Sequence, residues 1–361
     1  MEASDWFPEY EHAAEHGGVT VLAPLREGLG MNLALKTPTR ILLRVASFRC
    51  RDFPKLFQRF SAVDWDHWLD PSCHLEIHAA TARSRLKIKK RIEETCLDAW
   101  KTYQKSLKIK ASPKNKIGLY VRIADDNCTL SVDTSGQLLH KRGMRTFVGE
   151  APLRETLAAA LIQMMGRTRW VGCDDPVELI DPMMGSGTFL LEGAIRDNLI
   201  EAREFAFERF SEQAPARPVL RNSRPRIEKL LGFETDKKTL EAARQNLKFV
   251  PEKVKVQIRE EDFFNAYPLP EAQGIKRWII ANPPYGQRLK VKEPLGKYYA
   301  KLFAQAEKFA RPERACFLLP AAGAKGRLDL PKEWKVLEKR GFLNGGIPVV
   351  AFVFGRSGRE D

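Results

Sequence analysis

Apolar and polar positions run along the chain in two different rhythms. From about residue 40 to 140, strand-like and helix-like segments mix without strict alternation. "RILLRVASFRC" and "CHLEIHAA" predict strands. "RDFPKLFQRFSAVDW" sets Phe53, Leu56, Phe57 and Phe60 at helical spacing, and "KKRIEETCLDAWKTYQK" puts Ile92, Cys96, Leu97 and Trp100 on one helical face. "KIGLYVRIADD" and "CTLSVDTSG" predict two strands joined by a turn at Asp125-Asp126-Asn127. Beyond about 150 the grammar changes. A helix ("PLRETLAAALIQMM") is followed by a strand ("PVELIDP"), a helix ("GTFLLEGAIRDNL"), a strand ("KLLGFETD") and a helix ("KKTLEAARQNLKF"). Strands "KVQIREEDFF" and "RWIIANPPYG", helix "GKYYAKLFAQAEKFA" and strands "RACFLLP" and "GIPVVAFVFG" complete the series. Such alternation predicts an α/β fold with a doubly wound, mostly parallel sheet and helices on both faces.

Between the two rhythms, "LLHKRGMRTFVGEAP" is polar and carries Gly143 and Gly149, which places a linker at 138–150. Residues 1–40 give a mixed signal. "GVTVLAP" predicts a short strand, and the first dozen residues are expected to be loose. The expected division is 1–40, 41–137, the linker, and 151–361.

The net charge of +14 points to a polyanionic partner. It is concentrated in Arg83, Arg85, Lys87, Lys89, Lys90 and Arg91, continued by Lys101, Lys105, Lys108, Lys110, Lys114 and Lys116, with Glu93, Glu94 and Asp98 opposing. Such a stripe suits phosphates, whose condensed counterions it would release. Arg83, Arg85, Lys87, Lys89, Lys90 and Lys110, with Lys141 and Arg142 at the linker, are the candidate nucleic-acid contacts. The six cysteines form no C-x-x-C pair, so neither a zinc site nor a disulfide framework is expected, and Cys73, His74 and His78 read as ordinary strand residues. The acidic first residues lack the apolar segment of a signal peptide, and a cytoplasmic monomer is expected.

Ligands of an open α/β sheet lie beyond the carboxyl ends of its strands. The first such end reads "DPMMGSGTFLLEGA": Asp181, Pro182 and Met183 turn, and Gly185, Ser186, Gly187 and Thr188 open a helix whose free N–H groups face a ligand. It is not G-x-G-x-x-G, because Leu190 holds the third glycine position. At the second end, "GFETD", Glu234 can accept from ribose hydroxyls, with Thr235 beside it and Asp236 as a helix cap. The distance from the glycine loop exceeds the usual interval of about 20 residues. The charged insertion "REFAFERFSEQAPARPVLRNSRPR" is expected to account for it by lengthening the first helix and its return loop. At the third, "EEDFF", Asp262 can bind an adenine amino group and Phe263 flank the ring, while Phe264 is expected in the core. At the fourth, "ANPPYG", the Asn282 side-chain oxygen and the Pro283 carbonyl can accept both N–H bonds of a flat amino group. Pro283 and Pro284 stiffen the turn, and Tyr285 offers a π-face. Held so, the nitrogen can face an alkyl donor.

In this order the four segments resemble the motifs of class I S-adenosylmethionine-dependent amino methyltransferases. "LLHKRGMR" followed by "GEAPLRETLAAALI" further resembles THUMP-containing RNA guanine-N2 methyltransferases, the bacterial large-subunit rRNA enzymes above all, including members labelled N6-adenine-specific DNA methylases. The similarity runs from about 20 to 355 and is strongest from 138 to 290. It implies a Rossmann-like methyltransferase domain preceded by an α+β THUMP and ferredoxin-like RNA-binding region, with 1–40 as part of the ferredoxin-like companion. It also implies S-adenosylmethionine as cofactor, RNA as partner, and Pro152, Leu153 and Thr156 as neighbours of the cofactor. "NGGIPVVAFVFGR" resembles the closing hairpin strand. Three features depart from the pattern. Met184 replaces a common cysteine, Glu234 a common aspartate, and the N-terminal region is short enough that the companion is expected to be incomplete. No second methyltransferase domain is expected to follow. Alternatives left open are a tRNA guanine-N2 or N6-adenine nucleic-acid methyltransferase, a protein-glutamine methyltransferase, and an RNA-binding protein with a decayed catalytic domain.

Overall fold

The computed structural model describes residues 2–15, 17–142, 153–167, 175–195, 203–209, 225–285, 294–321 and 328–357. The chain forms two compact units: Phe7–Leu139 with Leu199–Val219, and Met1–Trp6 with His140–Asn198 and Leu220–Asp361. Among the described residues no helix is long and apolar enough to cross a membrane.

The first helix, α1 (Glu2–Trp6), belongs to the second of these units. Trp6 and Glu2 are buried, and Gln163 donates to Glu2 Oε1 at 2.6 Å. The opening residues are therefore anchored rather than loose, because a buried indole and a bonded carboxylate tie them down.

The N-terminal unit begins with the antiparallel ribbon β1 (Glu11–Glu15) and β2 (Gly18–Leu22), followed by α2 (Leu25–Ala34). Its main sheet contains β3 (Leu42–Arg49), β4 (Cys73–Ala82), β5 (Ser112–Ala124) and β6 (Asn127–Asp133) in the order β3-β6-β5-β4. Only β4 and β5 run parallel, joined by α5 (Lys89–Ser106), while α3 (Phe53–Ser61) and α4 (Trp65–Trp68) connect β3 to β4. Asp52 caps α3 by accepting from Lys55 N at 2.7 Å. Most of the helical stripe turns inward as its spacing predicts, with Phe53 and Phe57 half-buried against the core and Leu97 half-buried outside it. Leu56, Phe60, Ile92, Cys96 and Trp100 are buried against the inner face of the sheet. Asp125 and Asp126 adopt φ of 51° and 61°, the twist a two-residue hairpin between β5 and β6 requires. Cys73 faces the core, whereas His74 and His78 lie on the opposite face of β4 and His78 packs on Tyr120.

The charged insertion does not lengthen the first helix of the C-terminal unit. Its Phe205 and Phe207 stack with ring centroids 5.3 Å apart and pack with Leu29, Leu33 and Leu139 of the N-terminal unit. Phe207 N also donates to Thr134 O. Two phenylalanines in a charged segment find an apolar surface, and removing them from water outweighs helix propagation.

The C-terminal unit is a seven-stranded sheet. It contains β7 (Pro176–Asp181), β8 (Arg226–Glu234), β9 (Lys255–Glu260), β10 (Lys276–Ala281), β11 (Arg314–Pro320), β12 (Trp334–Asn344) and β13 (Ile347–Arg356). Their order is β12-β13-β11-β10-β7-β8-β9, parallel except where β13 pairs β11 and β12. Helices α6 (Glu155–Arg167), α7 (Thr188–Ala194), α8 (Lys237–Asn246) and α9 (Leu295–Ala310) complete it. Asp236 caps α8 through Thr239 N. Strand order reverses between β7 and β10, so a crevice is expected at their carboxyl ends.

Candidate active site at the carboxyl ends of the parallel strands

Three acidic side chains stand at the ends of β7, β8 and β9, and each accepts a backbone N–H from its own turn. Asp181 Oδ1 takes Met183 N at 3.0 Å, Glu234 Oε1 takes Thr235 N at 2.8 Å and Asp236 N at 2.9 Å, and Asp262 Oδ1 takes Phe264 N at 3.0 Å. These bonds fix the rotamers before any ligand arrives. Thr235 is exposed beside Glu234, and Asp262 is exposed as well. Asp181 is different. It is 1% exposed, and burial, aided by the charge of Glu234, pushes its carboxyl up to about 8 against the Met183 bond.

The loop from Pro182 to Gly187 is held from both sides. Met184 N donates to Phe233 O at 3.0 Å, and Asn246 Nδ2 donates to Ser186 O at 3.0 Å. Gly185 has φ +55° with open space where a Cβ would lie, and Gly187 has φ +82° at the start of α7. Ser186, Thr188 and Thr156 are buried. Met184 fits its place because Gly232 has no Cβ. A Cβ there would collide with Met184 Sδ and approach Leu190 Cδ1 to 2.7 Å. Gly232→Ala is therefore expected to cost roughly 1–3 kcal/mol of stability, read by denaturant unfolding. Adding Met184→Cys is expected to restore part of it, the approach to Leu190 remaining.

Phe263 is a correction. Its ring is 2% exposed and packs edge-on against Phe233 and Phe309, so it cannot flank a ligand ring. Phe264, expected in the core, packs half-buried against it and against Tyr298. The short helical turn after Asp262 points the first ring fully inward. Tyr298 in turn directs its hydroxyl at Met183 Sδ, 3.4 Å away.

At the end of β10, Asn282, Pro284 and Tyr285 are half-buried and Pro283 is buried. Tyr285 Oη donates to Asn282 Oδ1 at 2.5 Å, and Asn344 Nδ2 donates to Tyr285 Oη at 3.3 Å. Tyr299 Oη donates to the Pro284 carbonyl at 3.1 Å, which engages that oxygen in holding the turn. Tyr298, Tyr299 and Asn344 escaped the sequence reading. "KYYAK" signalled only a helix, and "NGGIPVVAFVFGR", which Asn344 opens, signalled only a closing hairpin strand.

The basic residues divide. Arg83, Arg85, Lys87 and Lys89 line an open groove of about 860 Å³ in the N-terminal unit. Lys90, Lys110 and Lys141 are exposed. Opposing acids are more numerous than sequence proximity showed: Arg83 pairs with Asp125 at 2.8 Å, Lys116 with Glu76 at 2.9 Å, and Asp126 accepts from Arg85 N. Arg142 is a second correction. It is 3% exposed and pairs with buried Glu192 at 2.7 Å, so its charge is spent inside the protein. Pro152 lies outside the described residues, whereas Leu153 is buried. Among the described residues no group of three or more metal-ligating side chains occurs.

Residues 142–332, over half of the chain, match the family of RMKL-like methyltransferase domains. The chain belongs to this family. It is 30% identical over 349 residues to the ribosomal RNA large subunit methyltransferase K/L of Stutzerimonas stutzeri, covering 90% of this chain and 46% of that one. The chain thus spans about half the length of that relative. A crystal structure of a possible methylase from Clostridium difficile 630 superposes with a TM-score of 0.80 at 24% identity, covering 100% and 95% of the two chains. SMU.472, at TM-score 0.76 and 24% identity over 99% and 95%, is solved with SAH. SAH is what S-adenosylmethionine becomes once it has given up its methyl group. The residues present suit S-adenosylmethionine: a cationic donor meets acidic strand ends, and the glycine loop leaves room where side chains would stand.

Proposed function

We propose that this RMKL-like domain transfers a methyl group from S-adenosylmethionine to the exocyclic N2 of a guanosine in RNA, with large-subunit rRNA as substrate. The observation that carries the reading is the Asn282 carboxamide oxygen at the end of β10, already accepting a hydrogen bond from Tyr285. The names of the K/L relatives favour rRNA. The basic groove favours a polyanion, and in this reading the N-terminal unit serves as the THUMP-like RNA-binding part.

In this mechanism Asp181, Glu234 and Asp262, with the loop Pro182–Thr188 and Thr156, hold the donor. Bound S-adenosylmethionine supplies an electrophilic methyl group. Asn282 Oδ1 and the Pro283 carbonyl accept the two N–H bonds of the amino group. Those bonds strengthen as the nitrogen becomes partly positive, so they stabilise the transition state more than the ground state. The Tyr285 ring supports the base, and alignment supplies the remainder. The target base must leave its stack to reach such a pocket.

The test is incubation of the protein with total RNA and isotope-labelled S-adenosylmethionine, followed by mass spectrometry of nucleosides from separated rRNA and tRNA. Labelled N2-methylguanosine in the 23S fraction is expected. The mark in tRNA alone would move the substrate, and labelled N6-methyladenosine would replace the reading. Replacing Arg85, Lys87 and Lys89 together by Ala is expected to weaken RNA binding at least tenfold. It should also reduce the slope of log Kd against log salt by about 2, given roughly 0.7 per single-strand phosphate contact. Filter binding across a salt series measures both.

A further inference from the structure

We infer that Asn344 is a positioning residue for Asn282, acting through the Tyr285 hydroxyl. The inference rests on the reading of Asn282 as the acceptor for the substrate amino group. Asn344 ends β12 and pairs with Ile347 across the two-residue turn Gly345-Gly346, whose φ values of +57° and +85° are those of a tight hairpin. Its amide reaches 59 residues back to Tyr285, whose hydroxyl reaches Asn282.

The direction of this relay follows from counting protons. A phenol has one proton to donate and two lone pairs. Burial pushes the Tyr285 hydroxyl up to about 12, so the proton is present through the physiological range. Asn344 Nδ2 occupies a lone pair, and the single proton goes to Asn282. While Asn344 presents its NH2, that proton is left for Asn282 and demands an oxygen there, which sets the orientation of the Asn282 carboxamide. Were the amide flipped, its NH2 would face the phenol, whose proton would lose its partner, and the oxygen would be turned away. Oδ1 has two lone-pair sites. Tyr285 takes one, and the other receives the substrate N–H. The β12–β13 hairpin tip thereby sets which end of Asn282 meets the substrate.

Asn344→Leu is expected to lower kcat roughly five- to tenfold, the worth of one lost hydrogen bond, while KM for RNA and Kd for S-adenosylmethionine stay within twofold. In a Tyr285→Phe background the same substitution is expected to add nothing, because the intermediary is gone. Asn344→Asp, nearly isosteric, places an acceptor where a donor stood. Its activity is expected to fall as pH rises through the introduced carboxyl's range, about 4 to 6, relative to the parent protein. A substrate-free measurement accompanies these. With ¹³Cζ-labelled tyrosine, the Tyr285 resonance, assigned by Tyr285→Phe, is expected to shift in Asn344→Leu. An additive loss in the Tyr285→Phe background, or an unmoved resonance, would overturn the inference. Were RNA to receive no methyl group from the parent protein, the functional reading would fail, and the resonance would still decide the role of Asn344.

Discussion

Asn282→Ala is expected to lower the single-turnover rate of methyl transfer by roughly 10²–10³, the range found when one preorganised donor or acceptor at a reacting centre is removed. Affinity for S-adenosylmethionine should stay within a few-fold. The asymmetry follows from the placement of the groups. Three strand-end carboxylates, each held by its own backbone N–H bonds, precede Asn282 and in the proposed reading serve the donor. In the same reading the carboxamide at the end of β10 serves the acceptor nitrogen. The substitution deletes the oxygen and leaves the turn, because Tyr299 still holds the Pro284 carbonyl. Calorimetry of donor binding beside rapid-quench turnover separates the two effects. Equal losses in both would assign Asn282 to the donor, and unchanged turnover would remove it from the chemistry.

The alternation of strands and helices after residue 150 was legible because parallel strands buried on both faces read as short apolar runs. "VELI", "WIIA" and "ACFLL" are such runs, and each is a strand. Trp334–Asn344 was not legible. It is an edge strand with a bulge between Val336 and Glu338, and its exposed positions carry charges that keep such an edge from pairing with another chain. At the site, the acidic residues and glycines stood out because their positions follow from strand ends. Which of Phe263 and Phe264 faced the core did not, since a single residue of helical turn decides it. Arg142 looked like surface charge because its partner Glu192 lies 50 residues away. Phe205 and Phe207 were read as part of a local insertion, whereas their partners lie in α2 and at Leu139.

Asp181→Asn is expected to stabilise the ligand-free protein above pH 8 and to weaken donor binding at the same time. The carboxyl is pushed from its ordinary value near 3.8 to about 8, by burial first and by Glu234 second. In the unfolded chain it ionises near pH 4. Between pH 4 and 8 the folded protein therefore holds a proton that the unfolded chain has released. Stability from this group is complete below pH 4 and is lost as pH rises toward 8. Asparagine keeps an acceptor for Met183 N–H and cannot ionise, so the slope should vanish. At pH 8.5 the variant is expected to melt roughly 5 °C or more above the parent, a shift that corresponds to a few kcal/mol in a domain of this size. Binding reverses the advantage. The donor brings positive charge, which favours the ionised carboxylate, so at pH 7 the parent should release close to one proton on binding. Calorimetry in two buffers of different ionisation enthalpy would show that release for the parent and none for Asp181→Asn. A melting difference independent of pH, or the same buffer dependence in both proteins, would mean that Asp181 already carries its charge in the folded protein. The raised carboxyl would then play no part in capturing the donor.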